Sequence, residues 1–347
     1  MSRPRENPHL FGHRAAEATF TRAARSGRLP HAWLITGPRG IGKATLAYRL
    51  ARRVVAGEAG AEQANDRAAP LFRRVAHGSE PDLFVLERTP NPKTGRMRQE
   101  ITVDQVRAVT AGLHETAVGH GGRAVVVDAA DELNSEAANA FLKLLEEPPR
   151  GVVLLVVCQA PGRIPRTLVS RCVKLTLQPL DEADLRAALV EAGLDADPPP
   201  ALLGLAAGAP GRFQRLQAAG FVDHYAATLS ILASADRQRS RLVEAAERLV
   251  TVAAASGADL ATDLLTTIVR RGAEQAVKGP LAPGLSETEP AELAAVTSRL
   301  PLDRWLALWD KLQRLPFDLD QLNVDPRQAF FLALADLAGE ATGHARA

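Results

Sequence analysis

The sequence is short of several residue types, and each shortage removes a class of explanation. Only two of its 347 residues are cysteine, Cys158 and Cys172. That is too few for a disulfide framework or a four-thiolate zinc site, so two buried thiols in a reducing compartment are expected. Charge of one sign is lacking too, because 42 basic and 40 acidic residues leave a formal charge of +2. No strong global field draws such a chain to nucleic acid or to a membrane, and any contact with DNA has to be local or made through partners. Aromatic residues make up 4% and are not clearly interleaved with basic ones, which gives no base-stacking platform. Long hydrophobic runs are missing as well. The most apolar stretch, Val152–Cys158, falls far short of a bilayer. Met1–Gly12 is polar, is broken by Pro4 and Pro8 and lacks the apolar core of a signal peptide. A cytoplasmic protein is expected.

What is present is ordinary globular material. Apolar residues are 46% and charged residues 24%, and the length suits two or three domains. The basic side chains are mostly arginine, 36 against 6 lysines, a bias that suits planar recognition of phosphates and carboxylates. The first half alternates short β-branched runs with helical periodicity, the pattern of an α/β domain with a mainly parallel sheet. Strands are expected at Ala32–Thr36, Asp82–Leu86, Arg123–Asp128, Val152–Val157 and Val173–Leu177. The uniformly apolar ones call for a sheet covered on both faces. Helices are expected at Thr45–Val55, Asp104–Leu113 and Ser135–Glu147, the last closed by Pro148 and Pro149. Beyond residue 177 the strand signal stops. Asp181–Ala192, Ala201–Ala207 and Arg212–Ala219 read as short helices, and from Phe221 onward long helices follow. The expected division is therefore 1–177, 178–220 and 221–347. Glu58–Pro70 and the basic Arg88–Gln99 segment read as solvated loops.

The strongest local signal is Gly37, Pro38, Arg39, Gly40, Ile41, Gly42 and Lys43, set between an expected strand and an expected helix. In a phosphate-binding loop the glycines let backbone N–H groups wrap phosphates at a helix N-terminus, and the lysine reaches the terminal phosphates. The pattern next calls for a hydroxyl to hold Mg²⁺, but position 44 is Ala44 and the hydroxyl comes one residue late, at Thr45. One residue on a helix is a rotation of about 100°, so Thr45 is expected to miss the metal position. The acidic partner strand ends in Asp128, and Ala129 stands where many ATPases carry a general-base glutamate. Asp131 and Glu132 read as solvated charges in the following turn. Two losses therefore point to slow or absent ATP hydrolysis, and whether the loop still binds nucleotide is left open.

The segments from Arg28 to Lys43, from Val125 to Asp131, from Ala137 to Pro149 (Ala-Ala-Asn-Ala-Phe-Leu-Lys-Leu-Leu-Glu-Glu-Pro-Pro) and from Leu168 to Cys172 (Leu-Val-Ser-Arg-Cys) resemble the bacterial clamp-loader subunits of the AAA+ family. The likeness covers about residues 10–215. It implies a RecA-like P-loop domain with a parallel sheet, a small helical lid and an all-helical collar for hetero-oligomer assembly. Three positions depart from the ATP-hydrolysing gamma/tau motors: Ala129, Cys158 at the sensor-1 strand end, and Gly211 where the motor lid carries a sensor-2 arginine. These favour the delta-prime branch. By the resemblance, Arg171 is an arginine finger reaching in trans into a neighbour's ATP site. Gamma/tau and delta are the implied partners, and the sliding clamp and primed DNA are met through the complex. Members of this branch commonly carry a cysteine-rich zinc module, but Val54–Glu80 holds no cysteine and only His77, so no zinc is expected. The competing readings are an autonomous P-loop ATPase or kinase and a degraded gamma/tau-like motor. Both are opposed by Ala44, Ala129 and Gly211.

Overall fold

The computed structural model describes residues 3–339 apart from 92, 93, 120, 196, 235–238, 280, 282, 283, 322 and 323. Contacts divide the chain into two compact units, Met1–Asp197 with Ala207–Arg212, and Pro198–Ala206 with Phe213–Ala347.

The first unit is built on a five-stranded parallel sheet, β1 (Ala32–Thr36), β2 (Leu83–Glu87), β3 (Arg123–Asp128), β4 (Val152–Val157) and β5 (Val173–Thr176), in the order β2-β3-β4-β1-β5. The expected α/β architecture with a parallel sheet is therefore present. The three central strands are almost wholly buried, and every residue of β4 is. Their unbroken Val, Leu and Ile runs make sense only between two layers of helices. Those layers come from α1 (Arg14–Arg25), α2 (Lys43–Gly60), α3 (Pro70–His77), α4 (Val103–Gly112), α5 (Ser135–Glu146), α6 (Arg166–Ser170) and α7 (Glu182–Glu191).

Local chemistry fixes the helix ends. The Asn134 side chain accepts the Ala137 N–H at 2.8 Å to start α5, and Asp181 accepts the Asp184 N–H at 2.8 Å to start α7. Thr102 and Gln105 form a capping box at α4.

Strand register decides which residues meet. Parallel pairing sets Ile35 beside Val157, Asp128 beside Val157 and Glu87 beside Asp128. The loop after β1 therefore shares one end of the sheet with the carboxylates that close β2 and β3. That is the carboxyl end, where open α/β sheets bind ligands. On the other side of β1, Trp33 pairs with Val173 and Thr36 with Thr176.

Two elements exceed the sequence expectation. The segment expected as a loop from Glu58 opens with the last turn of α2, bent at Gly57 (φ 66°, ψ 179°), and from Pro70 the amphipathic α3 buries Phe72 and Val75. The basic loop folds back on itself through a bridge between Pro90 and Met97, and Arg88 pairs with Glu132 at 3.0 Å. Its Pro92 and Lys93 lie outside the described residues.

The second unit is helical: α8 (Pro200–Ala206), α9 (Pro210–Ala218), α10 (Phe221–Ser234), α11 (Arg239–Ser256), α12 (Ala258–Lys278), α13 (Glu289–Thr297), α14 (Leu302–Gln321) and α15 (Pro326–Leu337), with the first turn of α9 counted in the other unit. Its core is aliphatic and aromatic, with Tyr225, Leu229, Leu242, Leu264, Ile268 and Phe330 fully buried. Inside it Glu289 accepts from the Arg271 guanidinium at 2.8 Å, the Tyr225 hydroxyl at 2.7 Å and the Leu285 N–H at 2.6 Å. Burial alone would raise the Glu289 carboxyl, but these donors hold it below its ordinary value. Among the described residues no helix is long and apolar enough to cross a membrane.

Candidate nucleotide site and the Ser-Arg-Cys element

The glycine-rich segment forms a loop between β1 and α2, with positive φ at Gly37, Gly40 and Gly42. Lys43 opens α2 and folds back across the loop, its Nζ donating to the Gly37 carbonyl at 2.7 Å and the Pro38 carbonyl at 2.8 Å. Lys43 as a whole is 5% exposed. Burial lowers its pKa, and the nearby Asp131, Cys158 and Asp128 offset part of that fall. A lysine held this way bridges the mouth of the loop and presents a desolvated positive charge. Pro38 and Arg39 are exposed at the loop tip, Ile41 is buried beneath it, and His13 Nε2 lies 2.9 Å from the Ile41 carbonyl.

Asp128 ends β3 at the same carboxyl end of the sheet. Burial, reinforced by Glu87, pushes its carboxyl up to about 6, with Lys43 pulling the other way. Asp131 is not the solvated charge expected from sequence. The turn Ala130–Glu132 carries it back over the end of β4, where it accepts the Gln159 N–H at 2.7 Å. It also faces Cys158, whose thiol is pushed up to about 12 by burial and by this carboxylate. Cys158 is thus a packing group and not a nucleophile. Cys172, pushed up to about 11 by burial, is the same.

Beside the loop lies a cavity of about 240 Å³ walled by Asn7, His9, Leu10 and Phe11, floored by Gly40, Ile41, Gly42 and Thr45, and bounded by Leu180, Ala188, Glu191 and Pro210. Thr45 therefore stands on this cavity wall. Ala44 offers no hydroxyl. The donor set fits the phosphates and base of a nucleotide through Lys43, the loop backbone and this cavity, whereas a Mg²⁺ ion would find Asp128 without its hydroxyl partner. The wall residues 7–11 escaped the sequence reading because nothing in their pattern marks them. The signal lies in α2, where Arg49 donates to the Pro8 carbonyl at 2.8 Å and Arg52 to the Arg5 and Asn7 carbonyls at 3.0 and 3.2 Å.

The loop apex touches the segment 207–212 of the same unit. The Gly211 N–H donates to the Gly40 carbonyl at 2.9 Å. A Cβ on Gly40 would come within 2.5 Å of the Arg212 nitrogen, and one on Gly211 within 3.0 Å of the Gly40 Cα. Both positions need glycine because two backbones pass at contact distance.

Arg171 sits elsewhere, as the exposed C-cap of α6. Its Nη1 donates to the Thr167 carbonyl at 3.0 Å, and its Nη2 pairs with Glu146 at 2.7 Å. Since Trp33 pairs with Val173 and Thr36 with Thr176, Arg171 lies at the opening end of β5 and the Gly37 loop at the closing end of β1. The three residue steps from Val173 to Thr176, at about 3.3 Å each, separate the two ends of the paired strands by roughly 10 Å, and Arg171 lies two residues before the first of them.

Among known proteins, the family described as DNA polymerase III, delta subunit, matches residues 12–181. The chain is 34% identical over 223 residues to DNA polymerase III subunit delta' of Pseudomonas aeruginosa, covering 63% of this chain and 61% of that protein. It is 30% identical over 164 residues to the subunit delta' of Bacillus subtilis, covering 47% of each. The matches thus span about half to three fifths of those relatives. A solved gamma subunit-related protein of Thermotoga maritima is 14% identical, with a TM-score of 0.43 over 92% of this chain and 99% of that one. Residues 12–181, just under half of the chain, are thus similar to the family described as DNA polymerase III, delta subunit, and to the delta' subunits of these two bacteria.

Proposed function

We propose that the chain is the delta-prime subunit of a bacterial clamp loader, a largely non-hydrolysing AAA+ subunit that lends Arg171 to the ATP site of a neighbour. On this reading 1–177 is the nucleotide domain, 178–220 the lid and 221–347 the collar, and the assembly with gamma/tau and delta places the sliding clamp on primed DNA. The observation that carries the reading is the register of β1 and β5, which sets Arg171 at the far end of the sheet from the chain's own loop. An exposed guanidinium at the opposite end of the sheet from its own loop is suited to a nucleotide held by another chain, where charge on the transferring phosphoryl group is stabilised.

The chain's own site lacks what hydrolysis needs. Ala44 and Ala129 carry no hydroxyl and no carboxylate, and a side chain at Gly211 would press on the loop backbone. A retained nucleotide, held by Lys43 and the cavity beside Thr45, would act as a structural ligand.

ATP turnover should be measured for the purified chain alone and reconstituted with gamma/tau and delta. Little turnover is expected alone. In the assembly Arg171→Ala should cut the rate at least tenfold and Lys43→Ala less than twofold. Brisk hydrolysis by the isolated chain, abolished in the Lys43 variant, would overturn the reading in favour of an autonomous ATPase.

A further inference from the structure

The Leu-Leu-Glu-Glu-Pro-Pro block has no task in the function proposed above, although it belongs with Ser-Arg-Cys in the resemblance. The structure joins the two blocks through one ion pair. We infer that Glu146, the last residue of α5, is a positioning residue that holds the Arg171 guanidinium in the orientation a neighbouring phosphate requires; this rests on the reading of Arg171 as a finger.

The placement of Glu146 is determined from several sides. Pro148 and Pro149 prevent α5 from continuing. His31, at the entry to β1, sets its Nε2 3.1 Å from the carbonyl of Leu145 and so ties the end of α5 to the central strand. Leu144 and Leu145 are buried in the core. One residue beyond these anchors, the backbone of Glu146 is fixed, and its carboxylate is within reach of Arg171. It also stands at the negative end of the α5 dipole, where an acid is disfavoured unless a cation is at hand.

Arg171 supplies that cation, and its own backbone is fixed in the same manner. Leu168 is fully buried, Cys172 packs against the same core, and the Arg171 N–H donates to the Leu168 carbonyl at 3.2 Å. The side chain then receives two restraints in different directions, the Thr167 carbonyl on Nη1 and the Glu146 carboxylate on Nη2. A guanidinium has five N–H donors. Two contacts fix its plane and leave donors to address a phosphate. Both partners are partly exposed, at 37% and 49% of the side chain, so the pair adds little to folding stability. Its effect is to reduce the conformational freedom that the finger would otherwise lose on reaching the transition state.

The test is a double-mutant cycle on ATP hydrolysis by the reconstituted clamp loader, using wild type, Glu146→Ala, Glu146→Gln, Arg171→Ala and the Glu146→Ala/Arg171→Ala pair, with thermal melts of each isolated chain as a folding check. Glu146→Ala should lower kcat about three- to tenfold with KM for ATP within about twofold. Glu146→Gln, which keeps an acceptor oxygen, should recover most of the rate. The double variant should be no slower than Arg171→Ala alone, because positioning has no value once the finger is gone. Unchanged or faster turnover in Glu146→Ala beside an impaired Arg171→Ala, or a double variant slower than Arg171→Ala by the full Glu146→Ala factor, would overturn the assignment. An Arg171→Ala assembly as fast as wild type would instead overturn the finger reading on which it rests.

Discussion

Asp128 illustrates how much a single position can carry. Its carboxyl rises from an ordinary value of 3.8 to about 6 because it is buried and Glu87 lies beside it. Between those two values the folded chain holds this proton and the unfolded chain has released it, so stability falls as pH rises through the interval and the loss is complete above about 6. The shift corresponds to about 2–3 kcal/mol. Asp128→Asn should therefore gain about that much relative to the wild type between pH 4 and pH 7. Urea unfolding of both proteins across that range checks it, and parallel pH profiles would contradict the assignment. A carboxylate kept at such a cost is the kind of group that functional sites retain against stability.

At the scale of elements, the wall of the cavity beside the loop depends on α2. Arg52 is fully buried, donates to the Arg5 and Asn7 carbonyls and to Asn65 Oδ1, and stacks on Phe72 at 4.7 Å. Burial lowers it to about 10, so it remains a cation at pH 7. Arg52→Leu would strand three partly buried acceptors and leave the guanidinium's place unfilled, and should cost about 2–4 kcal/mol. It should also release the segment before Phe11, and hydrogen exchange at residues 5–11 should rise several-fold while β3 and β4 stay protected. The sheet was largely legible beforehand, since unbroken apolar runs such as Val152–Val157 have one comfortable place in an α/β fold. The loop was legible from glycine spacing and Lys43. The segment 5–11, Asp131 and Glu146 were not, because each acquires its neighbours through contacts 25 or more residues away in sequence and looks, in isolation, solvated and polar. The helix Pro70–His77 was hidden by the Ala, Glu and Gly-rich stretch before it.

For the molecule as a whole, the division of the chain into units has an experimental consequence. The helical unit takes in Pro198–Ala206 and begins again at Phe213, and it includes the buried Leu202, Leu203, Leu205, Phe213 and Leu216. A fragment of residues 198–347 should melt cooperatively. One of residues 221–347 lacks those side chains and should melt at least 10 °C lower or not cooperatively, since losing several buried apolar groups costs about 2–5 kcal/mol for each large one. Equal melting of the two fragments would place the boundary at residue 221.

The edge strand β5 has a further consequence. It is four residues long, and Val173, Lys174 and Thr176 are exposed. An unpaired strand edge is a template for another chain, and short length and an exposed lysine are common ways of blunting it. Here the blunted edge begins two residues after Arg171. Sheet extension by a second copy would enclose the arginine in a homotypic seam, so a poor template at β5 leaves that side chain exposed, as the proposed role in a neighbour's site requires.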